Sequence, residues 1–265
     1  MSPRTAPPPA IVARLRSAGC VFAEQEARLL VDAARSPDEL EALVADRERG
    51  LPLEQVLGWA EFADLRIRMS PGVFVPRRRT ELLVRQARRL LRPEAIALDL
   101  CCGSGAVGAA LLATEPALRL YAVDIDPAAT SCARMNVEPR GGRVFTGDLF
   151  DPLPGDLRGR VDLIVANAPY VPTAAIPRMP PEARLHEARV ALDGGPDGLE
   201  VQRRLVAAAP DWLAPGGYLL VETSAGQADR SAQIFADHGL GARVARSRAL
   251  DATVVIGSRK PARAD

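Results

Sequence analysis

Four consecutive residues, Asn167-Ala168-Pro169-Tyr170, combine hydrogen-bond acceptors with a flat aromatic ring. They follow an apolar run, residues 161–166, that is typical of a buried parallel strand. Because ligands of open α/β sheets bind beyond the carboxyl ends of the strands, the tetrapeptide is expected to face a site. The Asn167 side-chain oxygen and the Ala168 backbone carbonyl could each accept one hydrogen of an NH2 group, while Tyr170 stacks on a planar target.

This arrangement suits methyl transfer to nitrogen. An NH2 group conjugated to a carbonyl or a ring is a poor nucleophile, and two acceptors fixed in advance would leave its π face open to a methyl group. Asn-x-Pro-aromatic at the end of a strand resembles the signature of enzymes that methylate amino or amide nitrogens. The alternative is an ordinary strand-to-loop turn, since Asn and Pro are common in turns.

A second candidate site follows a predicted strand at 95–100. Its glycine-rich loop would let the backbone approach a ligand at a helix N-terminus. Asp124 ends the next strand and could hold two vicinal ribose hydroxyls. The glycine pattern alone also fits a dinucleotide, but Asp99 suits a cofactor with an amino group and a sulfonium and would repel a pyrophosphate. S-adenosylmethionine is therefore the preferred cofactor. The loop reads Cys101-Cys102-Gly103-Ser104-Gly105.

Length and composition limit the class of protein. A chain of 265 residues can hold one large α/β domain and a small accessory one. A net charge of +1 argues against a general polyanion-binding surface. No apolar stretch reaches membrane-spanning length, and the N-terminus lacks the apolar core of a secretion signal. The four cysteines fit no zinc spacing, so no metal site is expected, and a reducing cytoplasm is the predicted location.

The pattern of helix and strand signals divides the chain into three parts. Residues 1–56 predict a small helical domain, with a capping box from Ser36 to Glu39 at the start of its third helix. Residues 57–78 predict an extended, hairpin-like connector. Strands and helices alternate over 79–265, which predicts a mostly parallel sheet covered on both faces and closed by an antiparallel pair. The strands are expected at 95–100, 120–123, 143–146, 161–166, 218–222, 243–246 and 253–257.

Four segments occur in the same order as in the HemK/PrmC family of protein-(glutamine-N5) methyltransferases, which the chain resembles over nearly its whole length. That family modifies the glutamine of the Gly-Gly-Gln loop of peptide chain release factors. The resemblance implies a class I, seven-stranded Rossmann-like methyltransferase domain that uses S-adenosylmethionine, and an N-terminal helical domain that helps dock a release factor. The segments are residues 50–58, residues 74–77 with 80–81, the glycine loop after Asp99, and residues 167–170.

The resemblance also implies residue roles. The loop from Cys101 to Gly105 matches the family's cofactor loop, and Asp124 matches its ribose ligand. Asp148 and Leu149 match the positions that flank the adenine.

Residues Asn167 to Tyr170 match the family's clamp for the substrate amide. The chain departs from the family pattern in three of its motifs. Ala168 stands where the family has a proline, although its backbone carbonyl can play the same part and Pro169 still favours an extended conformation before it. Cys101-Cys102 replaces Gly-Thr, and Arg79 replaces an Asp. These departures suggest a divergent subgroup, for which the resemblance implies the chemistry more firmly than it implies the release factor substrate.

Two other functional classes stay open from the sequence alone. A nucleic-acid amino methyltransferase shares the clamp signature and would flip a base into it, although the near-neutral charge and the lack of a recognisable target-recognition domain argue against it. A nicotinamide-dependent oxidoreductase or a nucleotide binder rests on the glycine pattern alone. Glu222 ends a strand on the cofactor side and could reach the site. Asp193-Gly194-Gly195 could form a lid or an ordinary turn.

Overall fold

The computed structural model describes residues 7–261. Within them, no helix is both long enough and apolar enough to cross a membrane. The α-helices are α1 Pro9–Ser17, α2 Ala23–Ala33, α3 Pro37–Glu48, α4 Leu53–Leu57, α5 Glu81–Arg88, α6 Ala106–Thr114, α7 Pro127–Val137, α8 Pro181–His186, α9 Glu200–Trp212 and α10 Ala228–Asp237. The strands are β1 Trp59–Phe62, β2 Leu65–Arg68, β3 Ile96–Leu100, β4 Arg119–Asp124, β5 Arg143–Thr146, β6 Val161–Ala166, β7 Leu213–Thr223, β8 Gly241–Ser247 and β9 Ala252–Ser258.

Seven strands form one sheet in the order β5-β4-β3-β6-β7-β9-β8. The pairs from β5 to β7 are parallel, and β9 pairs antiparallel with both β7 and β8. The predicted mostly parallel sheet with an antiparallel end is therefore confirmed. Because the chain moves to one side of β3 for β4 and to the other side for β6, the strand order reverses between β3 and β6. Open sheets bind ligands at this kind of switch point.

The central strands are apolar on both faces because helices cover both sides of the sheet. All five residues of β3 are buried. On one face, α5, α6 and α7 pack with residues such as Leu83, Leu111 and Val137. On the other face, α9 and α10 contribute Leu205 and Phe235. This two-sided packing fixes the strand ends at which the candidate site lies.

The N-terminal helices α1, α2 and α3 enclose a separate small core that includes Leu15, Leu30 and Val44. The Ser36 hydroxyl accepts from the Glu39 backbone N–H at 3.1 Å, as a capping box requires. The Glu39 carboxylate accepts from the Arg35 N–H at 2.7 Å instead of from Ser36 itself. Helix α4 was not predicted. The hairpin-like connector is confirmed as the antiparallel pair β1–β2, whereas the domain boundaries remain a proposal.

The segment between β6 and α9 contains α8 and short 3-10 helices. Its six-residue helix is led by proline and carries too short an apolar pattern to be recognised. Two contacts tie the segment to the N-terminal helices: the Arg47 guanidinium pairs with Glu182 at 2.6 Å, and the Gln55 amide donates to the His186 carbonyl at 3.2 Å. The segment is therefore a structured bridge.

Candidate functional site

A cleft opens at the carboxyl ends of β3, β4 and β6, with an empty volume of about 970 Å³ including its mouth. Residues from both candidate sites meet there, although they lie up to about seventy positions apart in the chain. Gly105 packs away from the cleft against α7, and Ala168 and Tyr170 lie on its outer side. The sequence-predicted residues that line the cleft are Asp99, Cys101, Cys102, Gly103, Ser104, Asp124, Asp148, Leu149, Asn167 and Pro169.

Asp124, the last residue of β4, is fixed by backbone donors. Its Oδ2 accepts from the Gly103 N–H at 2.8 Å, and its Oδ1 accepts from the Asp126 N–H at 3.0 Å. Burial raises the pKa of this carboxyl, and the backbone hydrogen bonds offset part of the rise. The side chain is thus held in one orientation at the edge of the cleft.

Asp99 lies one residue before the end of β3 and is 2% exposed. Its Oδ2 accepts from the Gly108 N–H in the first turn of α6 at 2.8 Å. Burial raises the pKa of Asp99 to about 8, and the nearby charge of Asp124 adds to the rise. Neither acid pairs with an Arg or Lys of the described chain. A group that brings a positive charge and a diol would supply what both lack, so these residues fit S-adenosylmethionine.

The loop between β3 and α6 contains a non-glycine residue in a left-handed conformation, Cys101, with φ of +55°. Glycine adopts this conformation at no steric cost. The departure at Cys101 therefore leaves the path of the loop intact but places a side chain in a strained backbone position. Burial raises the pKa of both the Cys101 and Cys102 thiols, so they stay protonated and present a neutral wall.

Apolar side chains that the sequence analysis did not assign to the site form much of the cleft wall. The connector supplies Phe62 and Phe74, and Phe74 begins one of the motifs on which the family resemblance rests. Further along the rim, the Asp148 carboxylate pairs with Arg204. The other apolar lining residues are Pro76, Ala106, Val107, Val123, Ile125, Val190, Ala191 and Val201.

Asn167 and Pro169 line the cleft and also a second cavity on its outer side. The Asn167 amide nitrogen donates to the Thr80 hydroxyl at 3.4 Å, which turns the side-chain oxygen toward other partners. No donor in residues 7–261 reaches this oxygen or the Ala168 carbonyl. The tetrapeptide therefore offers two unused acceptors at the wall between two cavities. Thr80 belongs to the motif of residues 74–77 and 80–81, but the sequence predicts no role for it.

Tyr170 is fixed by hydrogen bonds at both its side-chain hydroxyl and its backbone carbonyl. Its hydroxyl donates to Glu222 Oε1 at 3.2 Å, and its backbone carbonyl accepts from the Gln227 amide at 3.0 Å. Burial raises the pKa of Tyr170 to about 12, and the Glu222 carboxyl adds to the rise. The ring is thus a neutral, fixed surface on the outer side of the clamp.

The bridge segment, residues 171–198, packs directly on the tetrapeptide. The Gly194 N–H donates to the Val171 carbonyl at 2.9 Å. A Cβ at Gly194 would lie 2.7 Å from the Pro169 carbonyl, so only glycine permits this approach. Asp193 closes the turn by accepting from the Thr173 hydroxyl at 2.6 Å. Turn chemistry therefore accounts for Asp193-Gly194-Gly195, and the turn also supports the clamp.

The connector is fixed near the clamp by Glu187, which is 6% exposed. Its carboxylate accepts from the Val75 N–H at 3.0 Å and from the Arg77 guanidinium at 2.7 Å. In the described part of the chain, no group of three His, Cys, Asp or Glu side chains could hold a metal ion.

Comparisons with known proteins agree with this geometry. Residues 64–195 match the family model described as the methyltransferase small domain. The chain is 43% identical over 213 residues to a release factor glutamine methyltransferase of Geobacter sulfurreducens, covering 78% of this chain and 74% of that protein. It is 38% identical over 236 residues to the Mycolicibacterium smegmatis protein of the same name, covering 87% and 83%. A methyltransferase structure from Pyrococcus furiosus shares the fold, with a TM-score of 0.54 at 18% identity, covering 74% of this chain and 89% of that one.

Proposed function

Because this chain belongs to the family of release factor glutamine methyltransferases, we propose that it transfers a methyl group from S-adenosylmethionine to the side-chain amide nitrogen of a glutamine in a peptide chain release factor. The observation that carries the proposal is the pair of unused acceptors at the end of β6, the Asn167 side-chain oxygen and the Ala168 carbonyl. A primary carboxamide has two N–H groups and matches both.

S-adenosylmethionine, when bound, supplies an electrophilic methyl group. We assign Asp124 to its ribose diol and Asp99 to its positively charged amino acid end, because both are buried acids with only backbone partners. Cys101, Cys102, Gly103 and Ser104 would line its path, and Asp148 with Leu149 would flank the adenine. The apolar wall around them excludes water and strengthens these polar contacts.

Asn167 and Ala168 would orient the amide rather than take part in bond making. Two hydrogen bonds in the amide plane fix the nitrogen with its π face toward the cleft, so that the methyl group approaches the electron pair of the nitrogen. Positive charge develops on the amide nitrogen as it takes the methyl group, and the two acceptors stabilise that charge through the N–H groups until one N–H proton is lost. Tyr170 would pack on the outer face of the amide.

The second cavity, on the outer side of Asn167, is the proposed entrance for the glutamine. A loop with glycines beside the glutamine could thread this entrance without side-chain clashes. We propose a protein partner and neither a nucleic acid nor a membrane, since the net charge of +1 offers no general attraction for polyanions. The four unpaired cysteines of the structure support the proposed cytoplasmic location.

Mass spectrometry of a folded release factor incubated with the protein and labelled methyl donor tests this proposal. We expect one added CH2 group on the glutamine of the Gly-Gly-Gln loop, and little labelling of a short peptide if remote docking supplies much of the binding energy. A release factor with glutamate in place of that glutamine is the matched control and should not be labelled, because a carboxylate has no amide nitrogen. Labelling of DNA or RNA with none of any protein would overturn the proposal in favour of a base methyltransferase.

A further inference from the structure

Glu222 is a buried carboxyl group beside the clamp that the proposed chemistry does not use. It is the second-last residue of β7 and is 1% exposed. The register of the sheet explains its place: Val221 pairs with Ala166 of β6, so the next residues along the two chains, Glu222 and Asn167, are neighbours.

Two hydroxyl groups stand between Glu222 and the clamp. The Tyr170 hydroxyl donates to Glu222 Oε1 at 3.2 Å. The Thr80 hydroxyl, on a residue 2% exposed, accepts from the Asn167 amide nitrogen and so keeps its own proton to give. Glu222 Oε2 is buried and has no hydrogen-bond partner within residues 7–261. The Thr80 hydroxyl is near enough to this carboxyl group to lower its pKa, so Oε2 is the acceptor available to the Thr80 proton.

The direction of these hydrogen bonds decides which end of the Asn167 amide faces the substrate. An ionised carboxylate can only accept, so a hydroxyl that bonds it, as Tyr170 does and as Thr80 would with its remaining proton, must be the donor. With its proton directed at Glu222, the Thr80 hydroxyl can only accept from Asn167. The Asn167 NH2 group therefore faces Thr80, and the Asn167 carbonyl oxygen is left for the substrate. If Thr80 instead donated toward Asn167, the amide would turn and present its NH2 group to the NH2 group of the substrate.

We propose that Glu222 is a positioning residue, which acts through Thr80 and Tyr170 to orient the Asn167 carbonyl and the Tyr170 ring toward the substrate amide. This inference rests on the proposed function, because it assumes that Asn167 binds the substrate. It assigns a role to a residue separated from the tetrapeptide by more than fifty positions and placed beside it by strand pairing.

The surroundings of Glu222 predict a pH dependence. Burial raises the pKa of its carboxyl, and the Thr80 hydroxyl, the Tyr170 hydroxyl and the charge of Arg79 offset part of the rise. On the other side, β9 places Val254 opposite Glu222 and adds no charge. On α5, Glu81 and Arg85 pair with each other. As pH falls through the raised pKa, Glu222 gains a proton, the order of donors is lost, and turnover should fall.

Glu222→Gln is the direct test, because it keeps the shape of the side chain and adds an NH2 donor. We expect kcat for release factor methylation to fall roughly 10- to 100-fold, as a small misplacement of a reacting group does. We also expect the acidic fall in kcat to disappear from the pH profile, while calorimetry shows unchanged affinity for S-adenosylhomocysteine. Unchanged kcat and an unchanged acidic limb would overturn the inference.

Thr80→Val provides a second test that leaves the carboxyl group in place. We expect the Thr80→Val, Glu222→Gln double variant to be no slower than the slower single variant, because the two residues act in one chain of hydrogen bonds. Thr130→Val is the matched control: Thr130 is fully buried and bonds Thr146 at 2.7 Å away from the clamp, and its kcat should stay at the wild-type value. A fall in kcat of the double variant equal to the product of the two single-variant falls would overturn the inference. If the wild-type protein methylates no glutamine, the proposed function fails instead.

Discussion

The backbone N–H of Gly103 donates a 2.8 Å hydrogen bond to Oδ2 of Asp124. This bond joins the loop after β3 to the end of β4, so the glycine loop and the candidate ribose ligand form one unit. The second carboxylate oxygen is held by the Asp126 N–H. The position of Asp124 is therefore set before any ligand binds, and little ordering remains to oppose binding.

Asp124→Ala should weaken S-adenosylmethionine binding by about 1.5–3 kcal/mol or more, the usual loss for hydrogen bonds to a charged group. Isothermal titration calorimetry measures this directly. Asp229→Ala is the control, because the Asp229 side chain is 99% exposed and lies on the outer helix α10. Equal affinities in the two variants, with both folded, would remove Asp124 from the site.

Asp99 makes the stability of the ligand-free protein depend on pH. Its pKa of about 8 in the folded protein lies above the ordinary value of 3.8, so the folded state holds a proton that the unfolded state releases. This contribution is fully present below about pH 4 and is lost as pH rises through about 8. Between pH 6 and pH 8 the expected loss is about 2 kcal/mol.

Urea unfolding at the two pH values tests this expectation, with Asp99→Asn as the comparison. The variant cannot ionise at this position and should lose less stability over the same interval. An equal slope in the variant and the wild type would show that Asp99 does not titrate in this range.

Several elements could be predicted closely from the sequence. Strands β5 and β6 have the expected bounds, because the glycines around these elements punctuate an otherwise continuous apolar pattern. Strand β7 was placed at 218–222 but begins at Leu213. Its Pro-Gly-Gly stretch has the composition of a turn, and the pairing with β6 shifts register there, so tertiary pairing overrides local preference.

The parts of the site that follow directly after strands could also be predicted, since parallel strands end at the same edge of a sheet. Glu222 could be expected near the site, but its bond to Tyr170 and the bond of Thr80 to Asn167 could not, because both bonds arise from the packing of distant segments. The bridging role of residues 171–198 was equally hidden. Its contacts to the clamp run through backbone groups such as that of Gly194, which leave no side-chain signature.

Asn136 should be a stability residue rather than a binding residue. Its side chain accepts from the Arg68 N–H at 2.8 Å and donates to the Arg68 and Ser104 carbonyls at 2.9 Å each. Asn136→Ala leaves one buried and two part-buried backbone groups without this partner. It should cost about 2–4 kcal/mol of unfolding free energy, since a fully buried unsatisfied group costs about 1–3 kcal/mol and a part-buried group costs less. Thermal unfolding measures this, and a melting temperature equal to that of the wild type would contradict it.

Cys101 provides a test of backbone strain in the cofactor loop. Its φ of +55° is most unfavourable for a β-branched residue. Cys101→Val should therefore lower the free energy of unfolding by about 1–3 kcal/mol. Cys101→Gly should be at least as stable as both the wild type and the valine variant. Chemical denaturation of the valine and glycine variants measures this difference in stability. A valine variant as stable as the glycine variant would mean that the loop does not hold this conformation.

In the proposed mechanism, Asn167 accepts a hydrogen bond from the substrate amide and does not contribute to cofactor binding. Single-turnover methylation of a release factor by Asn167→Ala, measured beside calorimetry with S-adenosylmethionine, tests it most directly. We predict turnover lower by about two to three orders of magnitude, as for the loss of a preorganised hydrogen-bonding group, with cofactor affinity unchanged. Wild-type turnover in this variant, or a parallel loss of turnover and cofactor affinity, would contradict the account.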